Sequence, residues 1–433
     1  MAGLHVSNSV LFQECLDNLK VSNADEISMR YCNITARLNK DFWDTESDTV
    51  HSLQIGSYGR RTAIDGISDL DMVFELPEEN YERYKKIAGN GPSVMLQEVR
   101  QSLLNRYPTS DVKADGQVVC VNFSGYRVEV LPAFIDGNGD YIHGDTNNGG
   151  SWKLTKPRPE IRAVNELNVK TNHTLKDCCK MLRAWKNQVG VGIGGLLIDT
   201  LTYNFFVAHE GHHNATCSDY PELIVSLFTY LGEQPNDQEY WAAPGSGQRV
   251  KRKAKFQAKA KKAAARCQEA VDEPDENKRA NIWRKVFGKQ FPTATAVTKA
   301  AVELFDKEEF IENQFPVDIR YNIELECDIR EGTTLQDLLR RKLRLREKIP
   351  VGRHLRFHVT DCDVPGNHAI LWKVRNHGPE AMQRKMLRGE ITFDKDNRNQ
   401  KIETANFQGD HYVEVYAVKD GVCVARERIQ VPI

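Results

Sequence analysis

The chain has 433 residues, 40% of them hydrophobic and 27% charged, with a formal net charge of −1. That length exceeds one ordinary domain and suits two or three. The near-neutral balance excludes a global field favouring nucleic acid or an anionic membrane, so any basic surface must be local. No apolar run reaches the roughly 20 residues of a membrane helix, and the opening MAGLHVSNSVLFQECLDNLK is not a basic segment followed by an apolar one. Ten cysteines are scattered without a CxxC pair, a pattern of small apolar thiols in a reducing compartment, and a cytoplasmic location is expected.

Taken in chain order, residues 8–45 have helical periodicity, and Ser52-Leu53-Gln54-Ile55 reads as a short strand leading into Gly56-Ser57 and a helical turn. Leu70 to Phe74 reads as a buried strand interrupted by Asp71. Residues 93–106 return to helix, and Gln117 to Ile135 alternates like two strands joined at Ser124-Gly125. Helix is expected from Glu160 to about Asn187, from Leu196 to His209 and from Glu222 to Leu231. The run RVKRKAKFQAKAKKAAAR, 249–266, is a strong helix former with only positive charges, expected to continue to Trp283. The texture changes after Phe315. Residues 317–329, 354–360, 369–375, 411–418 and 422–431 alternate apolar and polar between Gly, Asn and Asp, the signature of a small antiparallel β-sandwich.

The chemistry concentrates in IGSYGRRTAIDGISDLDMVFEL, residues 55–76. Asp69 and Asp71 share one face of a strand, because side chains at i and i+2 project together. Two carboxylates side by side at a core edge repel and resist desolvation, and a cation between their oxygens relieves both costs. Mg²⁺ takes oxygen ligands of this kind and shares them with substrate phosphates. Gly56 permits close backbone approach, and the Ser57 hydroxyl with free amides at a helical turn can receive a phosphate. Glu129, alone among apolar neighbours in Tyr126-Arg127-Val128-Glu129-Val130-Leu131-Pro132, supplies the third acid of a two-metal site if its strand lies beside that of Asp69 and Asp71. One ion then activates an attacking hydroxyl while the other stabilises departing pyrophosphate.

GSYGRRT…SDLD followed by VEVLPAF resembles the polymerase-β-like nucleotidyltransferases. Within them it is similar to the bacterial relatives of cyclic GMP-AMP synthase and oligoadenylate synthetase, the CD-NTases or SMODS synthases. Asp140 to Thr146, Gly150 to Lys153, Lys180 to Lys186, Ala243 to Ser246 and Trp283 to Gly288 extend the resemblance over residues 8–292. Beyond 315, Trp372 to Gly378 and Arg388-Gly389-Glu390 resemble the AGS-C sensor domain fused to such synthases. The resemblance implies an α+β fold: a nucleotidyltransferase core with the N-terminal helix over 1–160, a helical lobe over 161–292, a connector over 293–315 and the sensor sandwich over 316–433. It implies a bacterial enzyme making a cyclic di- or trinucleotide from nucleoside triphosphates, ATP among them, with two Mg²⁺ (or Mn²⁺) and pyrophosphate as by-product. The messenger would activate a separate effector in CBASS antiphage defence. It assigns Asp69, Asp71 and Glu129 to catalysis and metal, with Glu129 standing where many members have Asp. Gly56 and Ser57 fall to the donor phosphates, and Arg183 or Lys180 to the triphosphate. Val191 to Gly195 lacks the serine that relatives often use as a second phosphate contact.

Other readings stay open on the residues alone. A linear CCA-adding or poly(A)-type transferase shares Gly-Ser and DxD, and a non-enzymatic nucleotide sensor would keep the fold without turnover. His209-Glu210-Gly211-His212-His213 fits the H-E-x-x-H zinc-peptidase pattern, but Gly211 sits inside it. His209, His212, His213 and Cys217 could also form a zinc knot, or a polar helix end. The basic 249–266 run is a candidate contact for nucleic acid or another polyanion, or a solvated helix face.

Overall fold

The computed structural model describes residues 7–66, 68–294, 309–332, 334–376, 380–381, 384, 386, 388–394 and 398–433. Two compact units emerge, Met1–Glu303 and Leu304–Ile433. Much of the expected 293–315 connector, 295–308, lies outside the described residues, as do His377 and Gly378 of the sensor-like motif.

The first unit opens with α1 (Asn8–Asn18) and α2 (Ala24–Phe42). The continuous helix expected over 8–45 is broken between them. Ser22 donates from its amide and hydroxyl to Asp65 Oδ1 (2.9 and 2.6 Å), and the Asp65 amide donates to the Leu19 carbonyl, pinning a turn there. Then follow β1 (Ser52–Gln54), the single turn α3 (Gly56–Gly59), β2 (Asp69–Glu75), α4 (Glu78–Lys85) and α5 (Gly91–Arg106). Strands β3 (Asp111–Asp115), β4 (Val118–Asn122), β5 (Arg127–Ile135), β6 (Tyr141–Asp145) and β7 (Ser151–Thr155) complete a seven-stranded sheet ordered β1-β2-β5-β4-β3, with β6 joining β5 to β7. The β2–β5 pair is parallel and its neighbours antiparallel.

Strand parity decides what each sheet face carries. Leu70, Met72 and Phe74 of β2, with Val128 and Val130 of β5, are buried in one cluster with Ile27, Tyr31, Ile34 and Leu38 of α2 and Met95, Leu96, Val99 and Leu103 of α5. The α2 positions recur at four, three and four residues, one helical stripe. With that face closed by helices, the period of two turns Asp69, Asp71, Arg127 and Glu129 to the other face.

The second layer is helical: α6 (Pro157–Lys170), α7 (Thr174–Val189), α8 (Gly195–Ala208), α9 (Tyr220–Glu233), α10 (Gln257–Asp272) and α11 (Glu276–Phe287), with the hairpin β8 (Tyr240–Ala242) and β9 (Arg249–Lys251). The single helix expected from Glu160 to Asn187 is two, split where Asn172 and His173 adopt left-handed φ of 48° and 68°. The basic run is likewise not one helix, since Arg249–Lys251 is a strand and α10 starts at Gln257. Nor does it continue to Trp283: Asp275 caps α11 by accepting from the Lys278 amide (2.8 Å). Helix α1 belongs to this layer by its contacts. Phe12 stacks edge-on to Trp283 and Phe291 at 5.1 and 5.2 Å, within the cluster formed by α7 to α11.

The zinc-peptidase pattern is not formed. Helix α8 ends at Ala208, and Glu210–His212 is a separate 3-10 turn. His209 and His213 donate to the carbonyls of Phe205 and Phe206 (both 2.9 Å), and Cys217 faces Gln13.

The second unit is a β-sandwich of two antiparallel four-stranded sheets. One is ordered β11 (Thr334–Leu338), β10 (Ile323–Glu331), β12 (His354–Cys362), β15 (Gln400–Thr404). The other runs β14 (Ile391–Phe393), β13 (Ala369–Arg375), β16 (Asp410–Lys419), β17 (Val422–Pro432). Leu325, Cys327, Leu355 and Phe357 of the first sheet pack with Trp372, Val413, Val415 and Ala425 of the second. The strand expected from 317 begins at Ile323, with Val317 making an isolated bridge to Cys423. Strands β11, β14 and β15 escaped the pattern because they are exposed and largely without apolar alternation.

Sheet and helical layer of the first unit are tied by buried charge. Asp199 of α8, fully buried, accepts from Arg183 Nη1 and Nη2 (2.6 and 2.9 Å), Arg60 Nε (2.8 Å) and Thr62 Oγ1 (3.0 Å). Arg60 also faces Glu160 at 3.6 Å, and Glu160 accepts from Ser246 Oγ (3.0 Å). Against its own desolvation, Arg183 and then Arg60 pull the Asp199 carboxyl down to about 2. A depressed carboxyl stabilises the fold above the ordinary carboxylate pKa, and that contribution fades as pH falls towards 2. Asp199→Asn leaves two buried guanidinium groups short of their counterion and is expected to cost about 3–5 kcal/mol. Urea unfolding at pH 7 checks this; a loss below about 1 kcal/mol would contradict the assignment.

Candidate active site

The acidic cluster follows from register. In the parallel β2–β5 pair, Asp69 lies beside Arg127 and Asp71 beside Glu129. The two strands thus present three carboxylates and one guanidinium on one sheet face, at two adjacent levels. Arg127 Nη2 pairs with Glu129 Oε1 and stands 4.0 Å from Asp69 Oδ1. Burial, then Glu129 and Asp69, push the Asp71 carboxyl up to about 6. Such a site holds more negative charge than its surroundings neutralise, the condition under which a divalent cation binds oxygen donors. Among the described residues, however, no three His, Cys, Asp or Glu side chains are drawn into a group ready to hold a metal.

The Gly-Ser turn closes over Asp71. Gly56 has φ +63°, and a Cβ there would lie 1.9 Å from Asp71 Oδ2. Both facts demand glycine. The turn is sealed at its far end, where the Thr62 and Ala63 amides donate to the Ser57 carbonyl (2.8 and 3.1 Å). Arg60 then leads directly into the Asp199 network. The apolar alternation of β2, the glycine and the buried arginine thereby fix Gly56, Ser57 and Asp71 as one unit.

A cavity of about 570 Å³ opens beside this unit, lined by Gly56, Ser57, Asp69 and Asp71 and, from the helical layer and the β8–β9 hairpin, by Lys186, Asn187, Arg249 and Lys253. Asp69 and Asp71 supply its acidic side and Lys186, Arg249 and Lys253 its basic side, with the Arg60–Glu160 pair also in the lining. Burial, with the positive Arg183 and Lys253 nearby, holds Lys186 below the usual lysine range, while Asp69 acts in the opposite sense. This polarity can seat a triphosphate with its cation towards the aspartates and its remaining charge towards the lysines.

The residues expected from sequence fall unevenly. Gly56, Ser57, Asp69 and Asp71 line the cavity; Glu129 is adjacent through Asp71 but is not among the lining residues. Arg183 reaches the cavity wall, yet its guanidinium is committed to Asp199, to the Cys179 carbonyl and to the Gly195 carbonyl (both 3.2 Å). Lys180 is half-buried and not among the lining residues; burial holds it below the usual lysine range, with Asp177 acting in the opposite sense. Lys186, three residues after Arg183, holds the open position instead. The i+3 spacing from Arg183 was a usable signal, because it places Lys186 one turn further along the same helix face. Arg249 and Lys253 carried no such signal, since their approach depends on the β8–β9 hairpin.

Residues 6–168 match the Second Messenger Oligonucleotide or Dinucleotide Synthetase (SMODS) domain, and residues 305–433 match the Adenylyl/Guanylyl and SMODS C-terminal sensor (AGS-C) domain. A cyclic AMP-AMP-AMP synthase of Acinetobacter sp. is 24% identical over 268 residues, covering 57% of this chain and 74% of that protein. Among solved structures, CdnC of E. coli MS115-1 in its HORMA-deltaN complex is similar with a TM-score of 0.50 and 16% identity, over 66% of this chain and 99% of that one. Apo DncV of Vibrio cholerae gives 0.45 and 13%, over 56% and 69%. At 16% identity the CdnC likeness speaks to fold, and it agrees with the sheet-plus-helical-layer arrangement described above. The chain therefore carries a SMODS nucleotidyltransferase domain over residues 6–168 and a C-terminal AGS-C sensor domain over residues 305–433.

Proposed function

We propose that this protein joins nucleoside triphosphates, ATP among them, into a cyclic di- or trinucleotide and releases pyrophosphate, as the signal-producing step of antiphage defence. The observation that carries the reading is the two-sided cavity, with Asp69 and Asp71 on the sheet wall beside Glu129 and Lys186, Arg249 and Lys253 on the other. The name of the Acinetobacter relative favours adenine nucleotides. Asp69, Asp71 and Glu129 would hold the divalent metal; their oxygen chemistry and unrelieved charge fit Mg²⁺ or Mn²⁺. Bound there, the ion supplies Lewis acidity to an attacking hydroxyl and neutralises the leaving phosphates.

The chain's own residues do the positioning. Gly56 lets the turn lie against Asp71, so the Ser57 hydroxyl meets phosphate at the edge of the acidic cluster. Lys186 and Lys253 face the outer phosphate charge. Arg183 and Arg60 contribute through Asp199, by holding the turn to the helical layer. The AGS-C sandwich regulates the synthase by binding a ligand of its own, and a separate effector reads the product.

Incubation of the full chain with four nucleoside triphosphates and Mg²⁺ should yield a small, phosphatase-resistant product; extension of an added RNA primer instead would establish a linear transferase. Asp71→Asn is expected to lower product formation by on the order of 10²–10³-fold with the fold retained. Gly56→Ala should cost about 10²-fold by displacing Asp71, while thermal unfolding shows a folded chain. Lys186→Ala should raise KM for the triphosphate by about tenfold or more, the loss of one charged hydrogen bond. An unchanged KM would remove Lys186 from the triphosphate site.

A further inference from the structure

Resting on the reading of Asp69, Asp71 and Glu129 as the metal-binding acids, we infer that Arg127 is a built-in cation that occupies the acidic cluster in the free protein and competes with the divalent ion for Glu129. Arg127 follows from the same register that assembles the site: it is the strand neighbour of Asp69 and lies two residues before Glu129, on the same face. Its guanidinium pairs with Glu129 Oε1 and stands 4.0 Å from Asp69 Oδ1, between carboxylates that would hold the ion. The other arginine acting on Asp71, Arg60, is held in the buried Asp199 network and is not available to move.

Mobility is built into one end of Arg127 only. Its amide donates to the Ser68 carbonyl (3.0 Å), anchoring the backbone to the residue that precedes β2, whereas its side chain is 48% exposed against 19% for Glu129. A half-exposed ion pair is weak and readily exchanged, and arginine stays charged at every pH in use. The guanidinium therefore keeps Glu129 oriented and the cluster partly neutralised, and yields when a metal arrives together with nucleotide phosphates. Metal without nucleotide is disfavoured, because it must displace a resident charge with no phosphate to complete its coordination.

The test is binding of Mn²⁺ alone to the full chain without nucleotide, read from the electron paramagnetic resonance signal of free Mn²⁺. Arg127→Gln should tighten binding by about 2- to 5-fold, the worth of one half-exposed ion pair, and Arg127→Lys, which keeps the positive charge, should bring it back towards the native value. Thermal unfolding confirms that each variant is folded. Glu129→Gln should weaken binding in the native chain and abolish the gain from Arg127→Gln in the double variant. Equal or weaker Mn²⁺ affinity in Arg127→Gln, with Glu129→Gln still weakening the native protein, overturns the role of Arg127 alone. If Glu129→Gln leaves Mn²⁺ binding of the native chain unaltered, the metal-site reading fails and this inference falls with it.

Discussion

Asp199 is the constraint on which the first unit's geometry rests. A carboxylate with no solvent exposure needs its charge met by the protein, and here it is met by Arg183 from α7, Arg60 from the end of the Gly-Ser turn and the Thr62 hydroxyl. Those partners come from both layers, so the sheet side and helical side of the cavity cannot separate without exposing or orphaning buried charge. Glu160 and Ser246 extend the tie to α6 and to the loop before β9. The cavity wall bearing Lys186 is thereby held opposite the wall bearing Asp69 and Asp71.

Across that framework the charges are sorted by strand and helix parity. On β2 and β5, odd positions near the active end are ionic and even positions apolar, so the core face is closed by α2 and α5 while the other is left for chemistry. On α7, Trp185 and Leu182 point into the helical core, whereas Arg183 and Lys186 face the cavity. Asp71 shows the cost of the arrangement: its carboxyl is pushed up to about 6 by burial and by its acidic neighbours, and only partly relieved by Arg60 and Arg127. Unrelieved charge of this kind costs stability, and it is what the proposed binding of metal and polyphosphate would draw on.

Much of this was legible in the sequence. The alternation around Asp69 and Asp71, the Gly-Ser corner twelve residues before Asp69, and the isolated Glu129 pointed to segments that the fold brings together: Gly56, Ser57, Asp69 and Asp71 line one cavity, and Glu129 is the strand neighbour of Asp71. The sandwich was legible as a change of texture, though its exposed strands β11, β14 and β15 were not, because strands that bury little leave little pattern. Helix ends were misjudged where a tertiary hydrogen bond stops the helix: Asp65 ends α1, and the left-handed pair Asn172-His173 separates α6 from α7. The basic run was read as one helix because composition reports propensity, and pairing of Arg249–Lys251 with β8 overrides it.

By itself the sequence determined which residues share a strand face, where glycine is obligatory and which segments have the family's motifs, since these depend on local periodicity and short spacing. Tertiary structure decided which cations are left open to the cavity. Arg183 and Lys186 are alike in charge and helix face and both reach the cavity, yet the guanidinium of one is committed to an aspartate sixteen residues away while the other keeps the open position. That choice depends on through-space pairing and desolvation, which no local pattern encodes.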